Sequence, residues 1–355
     1  MKFNQFDGKK VLVTGHTGFK GSWLAAWLLR LGASVSGLSD RIPTSPAHFE
    51  AGKMTERMSH HIGDVRDLAC VTRLIKDERP DFVFHLAAQP LVRRSYLDPH
   101  LTIETNVMGT ANILEALRLA QHPCTAVIVT SDKSYDNVEQ VWGYRENDAL
   151  GGKDPYSASK GAAELIVKTY AHSYFSAANS PVKVAVGRAG NVIGGGDWAA
   201  DRIVPDCIRA LRNKQPIRLR NPGATRPWQH VLEPLAGYLL LATRLIDTPS
   251  AFSDAWNFGP PSSDVRTVHD VAERIVTRFG AGSIEIEAAD SKQHEARLLQ
   301  LNCDKAQQLL GWRSRWAFEQ TMAATAGWYK DVLDGTPAVD VTRKQLRDFF
   351  RSFHD

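Results

Sequence analysis

Tyr156 and Lys160 stand four residues apart in the run Tyr156-Ser157-Ala158-Ser159-Lys160. On a helix, residues i and i+4 share a face. An ammonium beside a phenol favours the phenolate, and a phenolate can take a proton from an alcohol. Lys160 is also long enough to reach a nicotinamide ribose. A hydroxyl, an acid and an amine adjoin in Thr130-Ser131-Asp132-Lys133-Ser134-Tyr135. Near the N-terminus, Thr14-Gly15-His16-Thr17-Gly18-Phe19-Lys20-Gly21 places three glycines three residues apart. Such a loop lets backbone approach a pyrophosphate, which then rests on the amides of a following helix. Asp40 lies 19 residues after Gly21. A carboxylate there accepts from ribose hydroxyls and repels a 2′-phosphate, so NAD is expected rather than NADP, although Arg41 beside it is the residue type that accommodates such a phosphate. Asp64 could bond an adenine amine, or cap the helix that follows, a role Asp67 fills equally well.

These groups need elements to hold them. Lys10–Thr14 reads as a strand and Ser22–Leu31 as the helix after the glycine loop. Ser34–Leu38, Met58–Asp64, Asp81–Leu86, Thr125–Thr130 and Val182–Val186 read as further strands. Leu68–Asp77, Asn106–Ala120 and Pro155–Tyr174 have helical spacing, the last with Pro in its first turn. Strands alternating with helices imply βαβ units and a parallel sheet. The fold expected is α/β, a Rossmann-like doubly wound parallel sheet with a smaller C-terminal α/β substrate lobe. After about residue 190 the rhythm breaks. Loops at Gly194–Asp197, Asn221–Pro227 and Gly259–Ser263 separate helices at Leu232–Leu245, Val268–Phe279 and Lys305–Leu310. We therefore divide the chain into a nucleotide-binding part, 1–190 with help from later segments, and a substrate lobe, 191–355. The stretch from about Gly335 is polar and aromatic, and its pattern assigns it to no element.

Composition limits the alternatives. The 355 residues are 43% hydrophobic and 23% charged, an ordinary globular balance that excludes collagen-like and broadly disordered chains. The net charge of +4 comes without a basic block, so no nucleic-acid partner is expected. The longest apolar run, Leu235–Ala242, is too short to span a bilayer, and no signal peptide is expected. Four scattered cysteines suit a reducing compartment, with cytoplasmic localisation the expectation and no metal site.

The glycine loop followed about 140 residues later by the Tyr-Lys pair resembles the extended short-chain dehydrogenase/reductase superfamily. Leu86-Ala87-Ala88 and Asn106 match its cofactor-side positions, as do Thr17, Phe19 and Val65. Its extended branch typically takes a nucleotide-diphosphate sugar. Ser131-Asp132-Lys133 is similar to the triplet of the sugar-nucleotide 4,6-dehydratases. Longer strings resemble the branch that acts on a CDP-sugar: Gly15–Leu24, Ala87–Tyr96, Thr130–Asn137, Tyr156–Leu165, Gly187–Trp198, Arg226–Ala242, Trp256–Pro260 and His294–Trp312. The adjacent Arg pair that the wider family often carries near its late His-acid pair is here a single Arg297.

The resemblance implies NAD-dependent oxidation at C4, loss of water across C5–C6, and hydride return to C6. Ser131, Asp132, Lys133, Tyr156 and Lys160 would be the catalytic set. Lys133 would remove the C5 proton in its neutral form, or else clamp the enolate as a cation. Gln89, Arg94, Arg188, Asn191, Arg226, His230 and Arg297 would face the substrate. Each Arg could equally be an interlobe ion pair, and His230 or His294 a structural histidine. Dehydration or 4-epimerisation of a UDP-, GDP- or dTDP-sugar stays open, as does a non-catalytic NAD-binding scaffold. A homodimer through a four-helix interface, or a higher homo-oligomer, is implied.

Overall fold

The computed structural model describes residues 3–177, 179–287 and 298–352. Seven parallel strands form the central sheet: β1 (Lys10–Thr14), β2 (Ser34–Ser39), β3 (Ser59–Ile62), β4 (Phe82–His85), β5 (Cys124–Val129), β6 (Val182–Ala189) and β7 (Ala255–Phe258). Their order is β3-β2-β1-β4-β5-β6-β7, so the winding reverses between β1 and β4. Ligands in such sheets lie beyond the strands' C-terminal ends at that reversal. Every residue of β5 is buried, because helices cover both faces. Alternate residues serve opposite cores. Val11 and Val13 join one apolar cluster, and Leu12 the other.

The helices that bear on function are α1 (Phe19–Arg30), α2 (Leu68–Glu78), α3 (Gly109–Ala120), α4 (Pro155–Ser173), α5 (Ile203–Arg212), α6 (Leu232–Asp247), α7 (Val268–Phe279), α8 (Phe318–Leu333) and α9 (Ala338–Arg351). Asp67 caps α2 by accepting from the amides of Ala69 and Cys70, which settles the choice between Asp64 and Asp67. A π-helical turn, Glu104–Met108, runs directly into α3. Lys305–Leu310 likewise contains a π-helical turn, Ala306–Leu310, closed by Gly311 at φ 73°.

One apolar cluster runs across the cut at residue 190. β7 pairs with β6 inside the main sheet. α6 and the C-terminal helices share the cluster that holds α1. The stretch from Gly335 contains α9, whose Leu346 and Phe349 are buried. Among the described residues no helix is long and apolar enough to cross a membrane, and all four cysteines are free.

Candidate active site

The glycine loop sits between the end of β1 and α1. Gly15 has φ +72°, and a Cβ there would lie 2.7 Å from the Ala87 amide nitrogen. A Cβ on Gly21 would lie 2.2 Å from the Gly15 carbonyl oxygen. Both positions therefore accept only glycine, and the loop is held tightly against the end of β4. Thr17 donates its hydroxyl to the Arg41 carbonyl, tying the loop to the segment that carries Asp40.

One cleft of about 1980 Å³ opens at the C-terminal edge of the sheet. It is lined by Gly15, Thr17, Gly18, Phe19, Gly21, Asp40, Asp64, Val65, Leu86, Ala87 and Ala88 on one side, and by Ser131, Asp132, Lys133, Tyr156 and Lys160 deeper in. Arg94, Asn191 and Arg226 line it as well. Ligand pockets typically measure ~300–1,000 Å³, so the space suits two ligands end to end. The groups fit a dinucleotide: donating glycine-loop amides at a helix start, and an accepting carboxylate at the end of β2. Arg41 lies 3.8 Å from Asp40 and neutralises part of its charge. Arg66 grips Asp64 through Nε (2.8 Å) and Nη2 (2.6 Å), holding its carboxyl below the usual range.

The chemical groups come from two adjacent elements. After β5 the chain makes a short turn, Asp132–Ser134, in which Ser131 Oγ accepts from the Lys133 amide and donates to Asp132 Oδ1 at 2.9 Å. Asp132 Oδ2 is buried and has no hydrogen-bond partner among the described residues. Burial pushes this carboxyl up, opposed by Lys133, Ser131, Arg226 and Lys20, in that order. Asp154 caps α4 by accepting from the Ser157 amide at 3.0 Å, and Tyr156 and Lys160 follow one turn apart on the buried face. Burial lowers Lys160 to about 8. Burial also raises Tyr156 to about 12, opposed by a hydrogen bond with Ser131 and by the charge of Arg202. The expectation that Lys160 sets the acidity of Tyr156 is thus not met in the chain alone, where loss of solvent outweighs nearby charge.

Four expected ligand contacts are spent inside the protein. Arg188 is buried and pairs with Glu164, to which Nε donates at 2.8 Å and Nη2 also donates. Its Nη1 donates to the Tyr135 hydroxyl and the Glu146 carbonyl, so it supports the site from below and does not line the cleft. His230 is fully buried between Trp23 and Trp316, and burial drops it to about 3, so it is a neutral core histidine. Asn106 accepts from the Gln89 amide and donates to the Gln89 carbonyl and to Ser159 Oγ, bracing α4 rather than lining the cleft. Gln89 borders the cleft, yet its own amide bonds Thr102 and the backbone of Leu91. Arg297 and His294 lie outside the described residues.

Several cationic residues in the cleft were not expected, Lys20 and Arg202 among them. Lys20, inside the glycine loop, is half-buried; loss of solvent and then the charge of Lys160 lower it to about 8. Arg202, just before α5, donates to Asp197 Oδ2 at 2.8 Å and adds positive charge near Tyr156. A lysine between two loop glycines was the available signal for the first; nothing local marked the second.

Residues 12–325 match the GDP-mannose 4,6 dehydratase family. A CDP-glucose 4,6-dehydratase of Salmonella typhimurium is 46% identical over 98% of this chain and 97% of its own. A dTDP-glucose 4,6-dehydratase of Streptomyces antibioticus is 29% identical over 90% of this chain and 92% of its own. The solved dTDP-glucose 4,6-dehydratase of Streptomyces venezuelae, with NAD bound, superposes with a TM-score of 0.77, covering 93% of this chain and 99% of that one at 23% identity.

Proposed function

Because the chain belongs to the GDP-mannose 4,6 dehydratase family, we propose that it converts CDP-D-glucose to CDP-4-dehydro-6-deoxy-D-glucose and water. The observation that carries this reading is the Ser131-Asp132-Lys133 turn beside Tyr156 and Lys160 in one cleft. Oxidation and reduction at C4 alone need a hydroxyl, Tyr and Lys. A further acid and base at the same carbon skeleton are what elimination requires.

The loop of Gly15, Gly18 and Gly21 would hold the pyrophosphate of NAD; Asp40, Asp64 and Val65 would hold its adenosine, and Lys160 its nicotinamide ribose. When bound, NAD supplies hydride acceptance from C4, hydride return to C6, and a positive charge that favours the Tyr156 phenolate. Tyr156 takes the proton of the 4-hydroxyl, and Ser131 holds that oxygen in line. The resulting ketone makes the C5 hydrogen acidic. Lys133 removes it, while Ser131 stabilises the enolate oxygen. Asp132, whose carboxyl burial pushes up, gives its proton to the departing 6-hydroxyl, which leaves as water. Arg94, Asn191 and Arg226, which line the cleft, would meet the diphosphate, for which a guanidinium is a matching donor.

Exposed Ile103, Met108 and Leu165, on the segment leading to α3 and on α4, favour a homodimer through those helices. A cytoplasmic role supplying deoxysugars for a surface polysaccharide such as O-antigen completes the reading. The test uses purified protein with NAD and a panel of CDP-, UDP-, GDP- and dTDP-glucose, read by the alkaline absorbance of a 4-keto sugar. CDP-glucose should turn over fastest. Faster turnover of another member reassigns the substrate, and NAD binding without turnover of any would favour a scaffold.

A further inference from the structure

A second cavity, of about 310 Å³, lies outside the cleft between α1, residues 48–57 and α9. Arg30, Arg57 and Arg343 line it, and among the described residues no carboxylate does. The Arg57 guanidinium has the Met54 sulfur, 3.8 Å away, as its hydrogen-bond acceptor, a weak one for a charged donor. Burial, and then the charge of Arg343, lower the Arg57 pKa. Arg343 comes no nearer than 3.8 Å to Asp340 Oδ1, one turn back on α9. Arg30 lies over the Phe350 ring at 6.0 Å.

A solvated basic face is the ordinary account of surface arginines, but such faces are convex and place their charges apart. Here three arginines line one concavity whose floor, Met54 and Leu346, is buried and apolar, and Arg57 feels the charge of Arg343. Their mutual repulsion is relieved by an anion. Guanidinium forks match phosphate oxygens two at a time.

We propose that this cavity binds a small phosphorylated metabolite, its phosphate held by Arg57 and Arg343 and its carbon skeleton lying on Met54 and Leu346. The volume is at the lower end for ligand pockets, enough for a sugar phosphate and too small for a dinucleotide. The site is wired to the cleft. His48 on its wall meets Ser22 Oγ through Nδ1 at 2.8 Å and Thr342 Oγ1 through Nε2 at 3.0 Å. Ser22 directly follows Gly21 of the glycine loop. A ligand spanning Arg57 and Arg343 therefore fastens α9 to the 48–57 segment, whose His48 meets the helix behind that loop. The proposal is independent of the catalytic reading.

The test is calorimetric titration of glucose 1-phosphate into the full-length protein, saturated beforehand with NAD and CDP. The expected result is binding that weakens at least tenfold in the double variant Arg57→Gln/Arg343→Gln, with turnover measured in the absence of glucose 1-phosphate unchanged. Arg57→Lys keeps the charge and loses the fork; it should weaken binding at least threefold, and it serves if the double variant does not fold. Absence of binding, or binding that the variants leave within those limits, overturns the proposal.

Discussion

Replacing Glu164 with Gln tests whether Arg188 is structural. The Glu164 carboxylate accepts from Arg188 and from Thr130 Oγ1, the latter at 2.6 Å, and both charged side chains are 3% exposed. Arg188 also lies over the Tyr135 ring, whose hydroxyl donates to Asn257 Oδ1 at 2.8 Å. The variant strands a buried guanidinium without its counter-charge. Removing one partner of a buried pair costs about 3–5 kcal/mol. At ~2.1 cal/mol/K per residue, a chain of this length unfolds with an entropy of about 0.7 kcal/mol/K, so the Tm should fall by about 5 °C. Scanning calorimetry reads this directly. Thr130 precedes Ser131, so kcat should fall while KM for the sugar nucleotide changes little. Replacing both residues, as Glu164→Leu/Arg188→Met, should recover most of the lost stability, because an apolar pair leaves no stranded charge. A Tm within 1 °C of the parent, or an Arg188→Met variant that raises KM at unchanged Tm, would refute the reasoning and return Arg188 to the substrate.

Three further outcomes follow from the site and its surroundings. Asp132→Asn removes the proton that the 6-hydroxyl must receive, so kcat should fall by about 10²–10⁴ with C4 oxidation retained, seen as reduced-nicotinamide absorbance; full loss of that signal would contradict the acid role. Lys133→Ala should abolish exchange of the C5 hydrogen with solvent deuterium, whereas retained exchange would make Lys133 an electrostatic clamp. Glu233 is buried at the start of α6; its Oε1 accepts from the amides of Arg315 and Trp316 and its Oε2 has no partner among the described residues. Burial raises this carboxyl to about 8. The folded chain thus binds its proton more tightly than the unfolded chain, and stability should fall as pH rises from the ordinary carboxyl range through about 8, at up to about 1.4 kcal/mol per pH unit. Glu233→Gln should flatten that fall in Tm between pH 5 and 8; parallel curves would contradict it.

The order of chemistry along the chain was legible because each motif has a local signature. The glycine loop follows β1 and the Ser131-Asp132-Lys133 turn follows β5, while the Tyr156–Lys160 pair has helical spacing in the first turns of α4. The destination of a polar side chain was not legible. Arg188 lies near the end of β6, but it turns inward because Glu164, 24 residues earlier on α4, meets it there. His230 and Asn106 likewise face partners that only the fold brings near. β7 was missed because a four-residue apolar run within a loop-rich region carries little signal, and only pairing with β6 defines it. α9 was missed for another reason. Its stripe of Ala338, Val341, Thr342, Gln345, Leu346 and Phe349 has helical spacing, but polar members obscured it until Phe3, Trp27 and Phe349 were seen in one core.

The account's central claim is that one cleft both oxidises C4 and eliminates water, with the same hydride returned to C6. CDP-glucose carrying deuterium at C4, turned over by the NAD-loaded protein in ordinary water, tests this most directly. The account predicts a 4-keto-6-deoxy product bearing that deuterium at C6. A product with deuterium lost to solvent, a product still hydroxylated at C6, or a sugar inverted at C4 would contradict it.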